Sequence, residues 1–139
     1  MSTIENSLAE FKEIFSFFED PMDKFAQLID MSKNAEGLSP EERNESNQIF
    51  GCASQAWVVC ASANDNQITI RTDSDAHIVR GLLHILEKVL SGQKANDIYS
   101  IEANDILENI GLNRNITSQR TNGFISAISK IKKEIRLLS

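Results

Sequence analysis

The apolar residues in the first third of the chain recur at the spacing of α-helices. The first apolar face consists of Ile4, Leu8, Phe11, Phe15 and Phe18. This spacing of three to four residues predicts an amphipathic helix, and Ser2 with Glu5 forms a Ser-x-x-Glu capping box at its start. Asp20 followed by Pro21 predicts the cap and first residue of a second helix, which Gly37 ends.

The pattern becomes strand-like after Cys52. The segments "QAWVVCASA" and "QITIRTD" are separated by "NDN". Asn and Asp tolerate the positive φ angles that tight hairpin turns require. The sequence therefore predicts two antiparallel strands joined by a short turn.

Helical spacing returns in the second half of the chain. "DSDAHIVRGLLHILEKVLSG" predicts a helix that is capped by Ser74 or Asp75 and ended by Gly92. A short helix that Gly111 closes and a last helix from about Thr117 or Ser118 follow. The apolar face of the last helix consists of Phe124, Ile128, Ile131, Ile135 and Leu138. This order predicts an α+β fold, a small antiparallel β-sheet packed against helices.

The composition is that of a globular protein. The chain has 139 residues, 41% of them hydrophobic and 24% charged, which predicts a single domain over residues 1–139. No stretch approaches the roughly 20 apolar residues that span a bilayer, and the N-terminus has acids where a signal peptide has bases. We therefore expect a cytoplasmic protein that binds no membrane. The net charge of −6 argues against nucleic-acid binding.

The two cysteines occupy different contexts. Cys52 follows Gly51 between a polar segment and a strand. It is either a reactive thiol at a loop tip or a small buried side chain, and local context leaves both open. Cys60 lies two residues beyond Val58, on the same side of a strand, which favours a packing role.

Metal-binding and hydrolytic sites find little support. His77 and His84 are seven residues apart on one helix, a rise of about 10 Å that is too long for one ion. No pair of His or Cys residues has zinc-ligand spacing, so we expect no metal. A cysteine hydrolase needs a base near the thiol, and His77 is the better candidate. The carboxylates of "DSDA" are explained as a capping cluster at a helix start.

Three segments together resemble the SufE family, the sulfur acceptors of bacterial iron–sulfur cluster assembly. They are "LSPEERNESNQIFGCASQAWVV", "DSDAHIVRGLL" and "IGLNRNITSQRTNGFISAI". With the helix from Pro21, the likeness covers about residues 18 to 136. The chain departs from the family pattern at Ala53, commonly a polar residue there, and at Ala56, commonly valine.

The resemblance implies a role for each matching residue. Cys52 corresponds to the persulfide-accepting cysteine, in an α+β sandwich like that of SufE and IscU-type scaffolds. The residues implied around it are Arg43, Gly51, Ser54, Gln55, Trp57, Asp75, His77, Arg120 and Gly123. A scaffold needs several cysteine ligands for iron, so one well-placed cysteine favours sulfur transfer.

The resemblance also implies partners. A SufS-type cysteine desulfurase, which carries pyridoxal phosphate, would pass sulfur to Cys52 and be stimulated by this chain. A SufB-type cluster scaffold would receive sulfur downstream. We expect a non-enzymatic carrier with no cofactor of its own, as a monomer or weak homodimer. The alternatives are a CsdE-like adaptor that feeds another sulfur pathway and, less favoured, a cysteine hydrolase.

Control of thiol reactivity is a further expectation. An apolar pocket would raise the pKa of the Cys52 thiol between transfers. Arg120, or the helix N-terminus near Asp75, would lower that pKa once the loop moves. We hypothesise that the desulfurase triggers this change.

Overall fold

The predicted α+β fold is confirmed by a computed structural model that describes residues 3–51, 54–112 and 118–138. The helices are α1 Ile4–Ser16, α2 Pro21–Asn34, α3 His77–Leu90, α4 Ala95–Tyr99, α5 Ala103–Asn109 and α6 Ser118–Leu138. The strands are β1 Ala56–Ser62, β2 Gln67–Ser74 and β3 Gln93–Lys94, in the sheet order β1-β2-β3. Among the described residues, no helix is long and apolar enough to cross a membrane.

Strands β1 and β2 form the predicted hairpin. They pair antiparallel, with Val58 opposite Thr72 and Trp57 opposite Asp73. The connecting turn places Asp65 and Asn66 at φ angles of 62° and 61°. This left-handed conformation is the one that the "NDN" segment predicts.

The two faces of the sheet have different surroundings. One face includes the buried residues Val58 and Ile70, because α3 packs on β2 and α6 packs on β1. The alternate residues, which include Trp57 and Asp73, point to the opposite face. There the segment between α2 and β1 covers only one end, while Thr69 and Arg71 are exposed.

Helix α3 also protects one edge of β2. Strand β3 pairs with β2 only at Gln67 and Ile68. Farther along, the Ile70 N–H donates to Ser91 Oγ at 2.9 Å, and the Thr72 N–H donates to Glu87 Oε1 at 2.8 Å. Burial raises the pKa of Glu87, and the hydrogen bond from Thr72 opposes that shift. These side chains satisfy backbone donors that would otherwise form an open sheet edge.

The start of α1 differs from the prediction, whereas the start of α2 is confirmed. The N-cap of α1 is Thr3, whose hydroxyl accepts from the Asn6 N–H at 3.1 Å. The predicted cap Ser2 lies outside the described residues. Asp20 caps α2, and Pro21 is its first residue.

Other predictions at element ends are wrong. The N-cap of α3 is Ala76, without a side-chain cap, because Ser74 still belongs to β2. The Ser74 hydroxyl does accept from the Ala76 N–H at 3.2 Å, so it supports the turn into the helix. Leu138 is 41% exposed and does not belong to the core. The short elements β3 and α4 were not predicted, since each is too brief to show periodicity.

Gly81 sets the distance between α2 and α3. A Cβ atom at this position would lie 2.3 Å from the carbonyl oxygen of Leu28 and 2.9 Å from its carbonyl carbon. Leu28 itself is completely buried. Because backbone atoms on a packed helix cannot move aside as a flexible side chain can, only glycine fits here.

We expect Gly81→Ala to destabilise the protein. Alanine favours a helix over glycine by about 1 kcal/mol, but forcing α2 and α3 apart costs more, so a net loss of about 2 kcal/mol is expected. Denaturant unfolding of Gly81→Ala, with Lys88→Ala on the exposed side of α3 as the control, measures this. Stability equal to or above wild type would contradict the close approach.

Candidate functional site

The segment around Cys52 forms a loop whose two ends meet. The Ile49 N–H donates to the Ala56 carbonyl at 2.8 Å, and Gln48 forms an isolated bridge with Trp57. Residues 50–55 are called the Cys52 loop below. The residues that flank this loop on its two sides are therefore hydrogen-bonded to each other. Cys52 and Ala53 lie outside the described residues, so the structure describes the two ends of this loop and not the predicted thiol.

The end of the Cys52 loop is attached to the turn between β2 and α3. The Gln55 carbonyl accepts from the Ser74 hydroxyl at 2.8 Å and from the Asp75 N–H at 3.1 Å. Two segments that the resemblance places side by side are thus in direct contact. Asp75 makes this contact through its backbone N–H, and the residue is exposed.

The start of the Cys52 loop lies against α6. Gly51 has a φ angle of +98°, which residues with a side chain rarely adopt. A Cβ atom there would lie 2.7 Å from Ser126 Oγ. The positive φ angle is therefore what requires glycine at position 51, whereas the contact shows that this residue packs next to Ser126 of α6.

Asp73 forms a buried ionic cluster next to the loop. Its side chain is completely buried. Oδ2 lies 2.6 Å from Arg43 Nη2 and accepts from Arg43 Nε at 3.0 Å and from the Leu38 N–H at 2.9 Å. Oδ1 accepts from the Ser74 N–H at 2.8 Å and lies 3.4 Å from Arg80 Nε. Two guanidinium groups and two backbone donors thus surround one carboxylate.

The Asp73 cluster brings together two of the predicted site residues. The Arg43 guanidinium carbon lies 5.8 Å from the centre of the Trp57 ring, within the range of a cation–π interaction. Trp57 is buried and stands opposite Asp73 in the hairpin. Arg43 therefore spans Trp57 and Asp73, and ties the segment before the Cys52 loop to the strands after it.

Sequence reasoning missed Asp73 and Arg80. The interpretation of "DSDA" as a capping cluster is wrong for Asp73, which caps nothing and forms ion pairs across the fold. One signal was available, since Asp73 is the last residue of the predicted strand "QITIRTD", and a carboxylate that is buried in a sheet needs a cationic partner. The choice of Arg43 and Arg80 as partners was not visible from the sequence.

The remaining predicted residues are spread over three elements. Ser54 is half-buried near the end of the loop, and His77 is the exposed first residue of α3. Gly123 is buried in α6, and Arg120 is half-buried one turn earlier. Their roles toward Cys52 stay predictions.

Cys60 has the packing position that its strand context predicts. It lies opposite Ile70 and packs against the core below α6. Burial raises the pKa of its thiol to about 12; the Glu134 charge adds to this, and Lys130 opposes it. At neutral pH the group is a thiol and not a nucleophilic thiolate.

The described residues hold no group of three or more His, Cys, Asp and Glu side chains placed to bind a metal ion. His84 is half-buried, and burial, with Lys88 and Arg80 nearby, lowers its pKa. Its buried Nδ1 has no hydrogen-bond partner in the described part of the chain. His77 and His84 sit two turns apart on α3.

We expect Asp73→Asn to destabilise the fold by about 3 kcal/mol, because it leaves two guanidinium groups facing a neutral amide. The control is Asp75→Asn, which makes the same chemical change at an exposed residue two positions away and should leave stability nearly unchanged. Denaturant unfolding of both variants measures the difference. Equal stabilities would contradict a structural role for the Asp73 cluster.

The pKa of Cys60 predicts slow labelling. Raising the pKa of Cys60 from an ordinary 9.0 to about 12 lowers its thiolate fraction at pH 8 about a thousandfold. In Cys52→Ser, where Cys60 is the only thiol, labelling of the native chain should be slower by about that factor than labelling of the unfolded chain. The native rate should also rise about tenfold per pH unit from pH 7 to 9. Comparable native and unfolded rates would refute the assignment.

A solved structure shares this architecture. The solution structure of a hypothetical protein from Thermus thermophilus matches with a TM-score of 0.75 at 15% identity, covering 95% of each chain. At this identity the match supports the fold alone.

Two relatives are similar to this chain in sequence over most of its length. An uncharacterized SufE-like protein of Rhizobium etli is 37% identical over 134 residues, 94% of this chain and 90% of the relative. Another from Rhizobium meliloti is 39% identical over 131 residues, 92% of this chain and 94% of the relative. The family model described as SufE, Fe-S metabolism associated domain, matches residues 9–135. The chain therefore belongs to the SufE family.

Proposed function

We propose that this chain is a sulfur carrier that takes persulfide sulfur from a cysteine desulfurase onto Cys52 and passes it on for iron–sulfur cluster assembly. Membership of the SufE family, through its link to iron–sulfur metabolism, supports a role in sulfur transfer. The observation that carries the proposal is the frame of the Cys52 loop. Its start lies on α6 at Ser126, and its end is hydrogen-bonded to Ser74 and Asp75.

A fixed frame suits transfer between two proteins. Sulfur exchange needs the thiolate to line up with the sulfur–sulfur bond that breaks. A loop with anchored ends restricts the positions that its central residue can take, so less entropy is lost when a partner docks. The ion pairs of Asp73 hold the segments on both sides of the loop in place.

The proposed step is an exchange at sulfur without net oxidation. The Cys52 thiol loses its proton, and the thiolate attacks the outer sulfur of the persulfide on the desulfurase. The new bond joins Cys52 to that sulfur, while the bond to the desulfurase cysteine breaks and that cysteine leaves as a thiolate. The desulfurase supplies pyridoxal phosphate, and the step needs no metal or cofactor on this chain.

Only one of the two thiols fits this chemistry. The Cys60 thiol is held neutral by burial, so it is a poor nucleophile for a persulfide. Transfer onward would repeat the same exchange, with an acceptor thiolate on the cluster scaffold attacking the outer sulfur on Cys52. The SufS-type desulfurase and the SufB-type scaffold are the partners that the proposal names.

We expect one sulfur atom to be added to Cys52 when the protein is incubated with cysteine and a SufS-type desulfurase and the intact chain is weighed. Cys60→Ser, the matched control, should gain sulfur like wild type, because the raised pKa of Cys60 keeps it a protonated thiol that takes no part. Cys52→Ser should gain none. The proposal fails if wild type gains no sulfur, or if Cys52→Ser gains as much as wild type. Release of product from simple esters or amides would favour a hydrolase instead.

A further inference from the structure

We propose that a groove between the Cys52 loop and α6 is the surface on which an apolar and acidic segment of the desulfurase docks. The inference rests on the proposed function, because it names the partner contact of the same loop. The groove measures about 370 Å³ and is called the Phe50 groove below. Its walls include Phe50, Ile125, Ser126, Ser129, Lys130 and Lys133.

Two of the residues that line the groove are apolar and open to solvent. Phe50 is 63% exposed and Ile125 is 40% exposed, although both are large apolar residues. Exposed aromatic side chains next to a pocket are typical anchors of protein interfaces, since covering them removes apolar surface from water. The size of the groove suits one or two side chains of a partner and not a whole domain.

The charge of the groove differs from that of the rest of the protein. The chain carries a net charge of −6, yet Lys130 and Lys133 line the groove and no Asp or Glu among the described residues does. Lys130 donates to the Ser46 carbonyl at 2.9 Å, and its charge is partly neutralised by the ion pair with Glu134 at 3.2 Å. Lys133 is exposed, and no ion pair joins it to another residue in the described part of the chain. A carboxylate on the partner is therefore the complementary charge.

The groove is continuous with the place where sulfur must arrive. Phe50 is two residues before Cys52 and forms part of the groove wall. The close approach of Gly51 to Ser126 joins this wall to α6. Because only one residue separates Phe50 from Cys52 in the sequence, a desulfurase that brings its persulfide to Cys52 comes close to Phe50. The occupant is thus a segment of the desulfurase that carries an apolar and an acidic side chain.

The test measures affinity and sulfur loading separately. The variants Phe50→Ala and Lys133→Glu should each weaken binding to the SufS-type desulfurase about tenfold, and the Lys133→Glu effect should shrink in high salt. At saturating desulfurase both variants should still gain one sulfur on Cys52. The matched controls are Phe17→Ala, which removes an exposed phenylalanine outside the groove, and Lys88→Glu, which makes the same charge change on α3. Both should bind like wild type.

The outcomes separate this inference from the proposed function. Variants that bind as tightly as wild type overturn the groove as a docking site, while loading of wild type still supports the sulfur carrier. Unchanged affinity with lost loading also overturns it, since the residues would then act on the loop and not on the partner. If Phe50→Ala abolishes self-association in sedimentation and leaves desulfurase affinity unchanged, a second copy is the occupant and the proposal is wrong. If the wild-type protein never gains sulfur, the proposed function is wrong, and the desulfurase is then also wrong as the occupant of the groove.

Discussion

The arrangement around the Cys52 loop depends on one buried carboxylate. Moving the Asp73 carboxylate out of water costs several kcal/mol unless its charge is paired and its oxygens accept hydrogen bonds. The partners come from the segment after α2, from β2 itself and from α3. Because no single element satisfies the charge, these parts must assemble together. The segments beside the loop are therefore held by a charge that these three parts accommodate together.

Helix α3 has more than one role in this assembly. It covers a face of the sheet, supplies Arg80 to Asp73, and satisfies the edge of β2 through Glu87 and Ser91. The contact at Gly81 then brings α2 against it at a distance that a methyl group would not allow. Several different interactions thus hold α3 in one position, and its N-terminus lies beside the end of the Cys52 loop as a result.

Predictions from the sequence were most accurate where the conformation depends on residues close together in the chain. The period-two pattern, the Asn and Asp residues of the turn, and the Asp20–Pro21 helix start are local features, and the structure follows them. The capping of α3 and the burial of Leu138 were mispredicted, because Ser74 pairs with Ala56 in the sheet and the last residues of α6, after Ile135, lie outside the core. Partners such as Arg43 and Arg80 for Asp73 are contacts between distant residues, and periodicity carries no information about them. The family resemblance predicted a set of site residues around the loop, and Asp73 was not among them.

On the proposed function, the half-buried position of Cys60 has a consequence for sulfur held on Cys52. A second thiolate in the same chain would be able to attack the inner sulfur of a Cys52 persulfide, forming an internal disulfide and expelling sulfide. That side reaction would waste the cargo and leave the carrier oxidised. Because Cys60 has a pKa of about 12, its thiolate is scarce at neutral pH and the reaction is suppressed. On the proposed function, Cys60 can therefore remain in the protein without releasing the sulfur that is bound to Cys52.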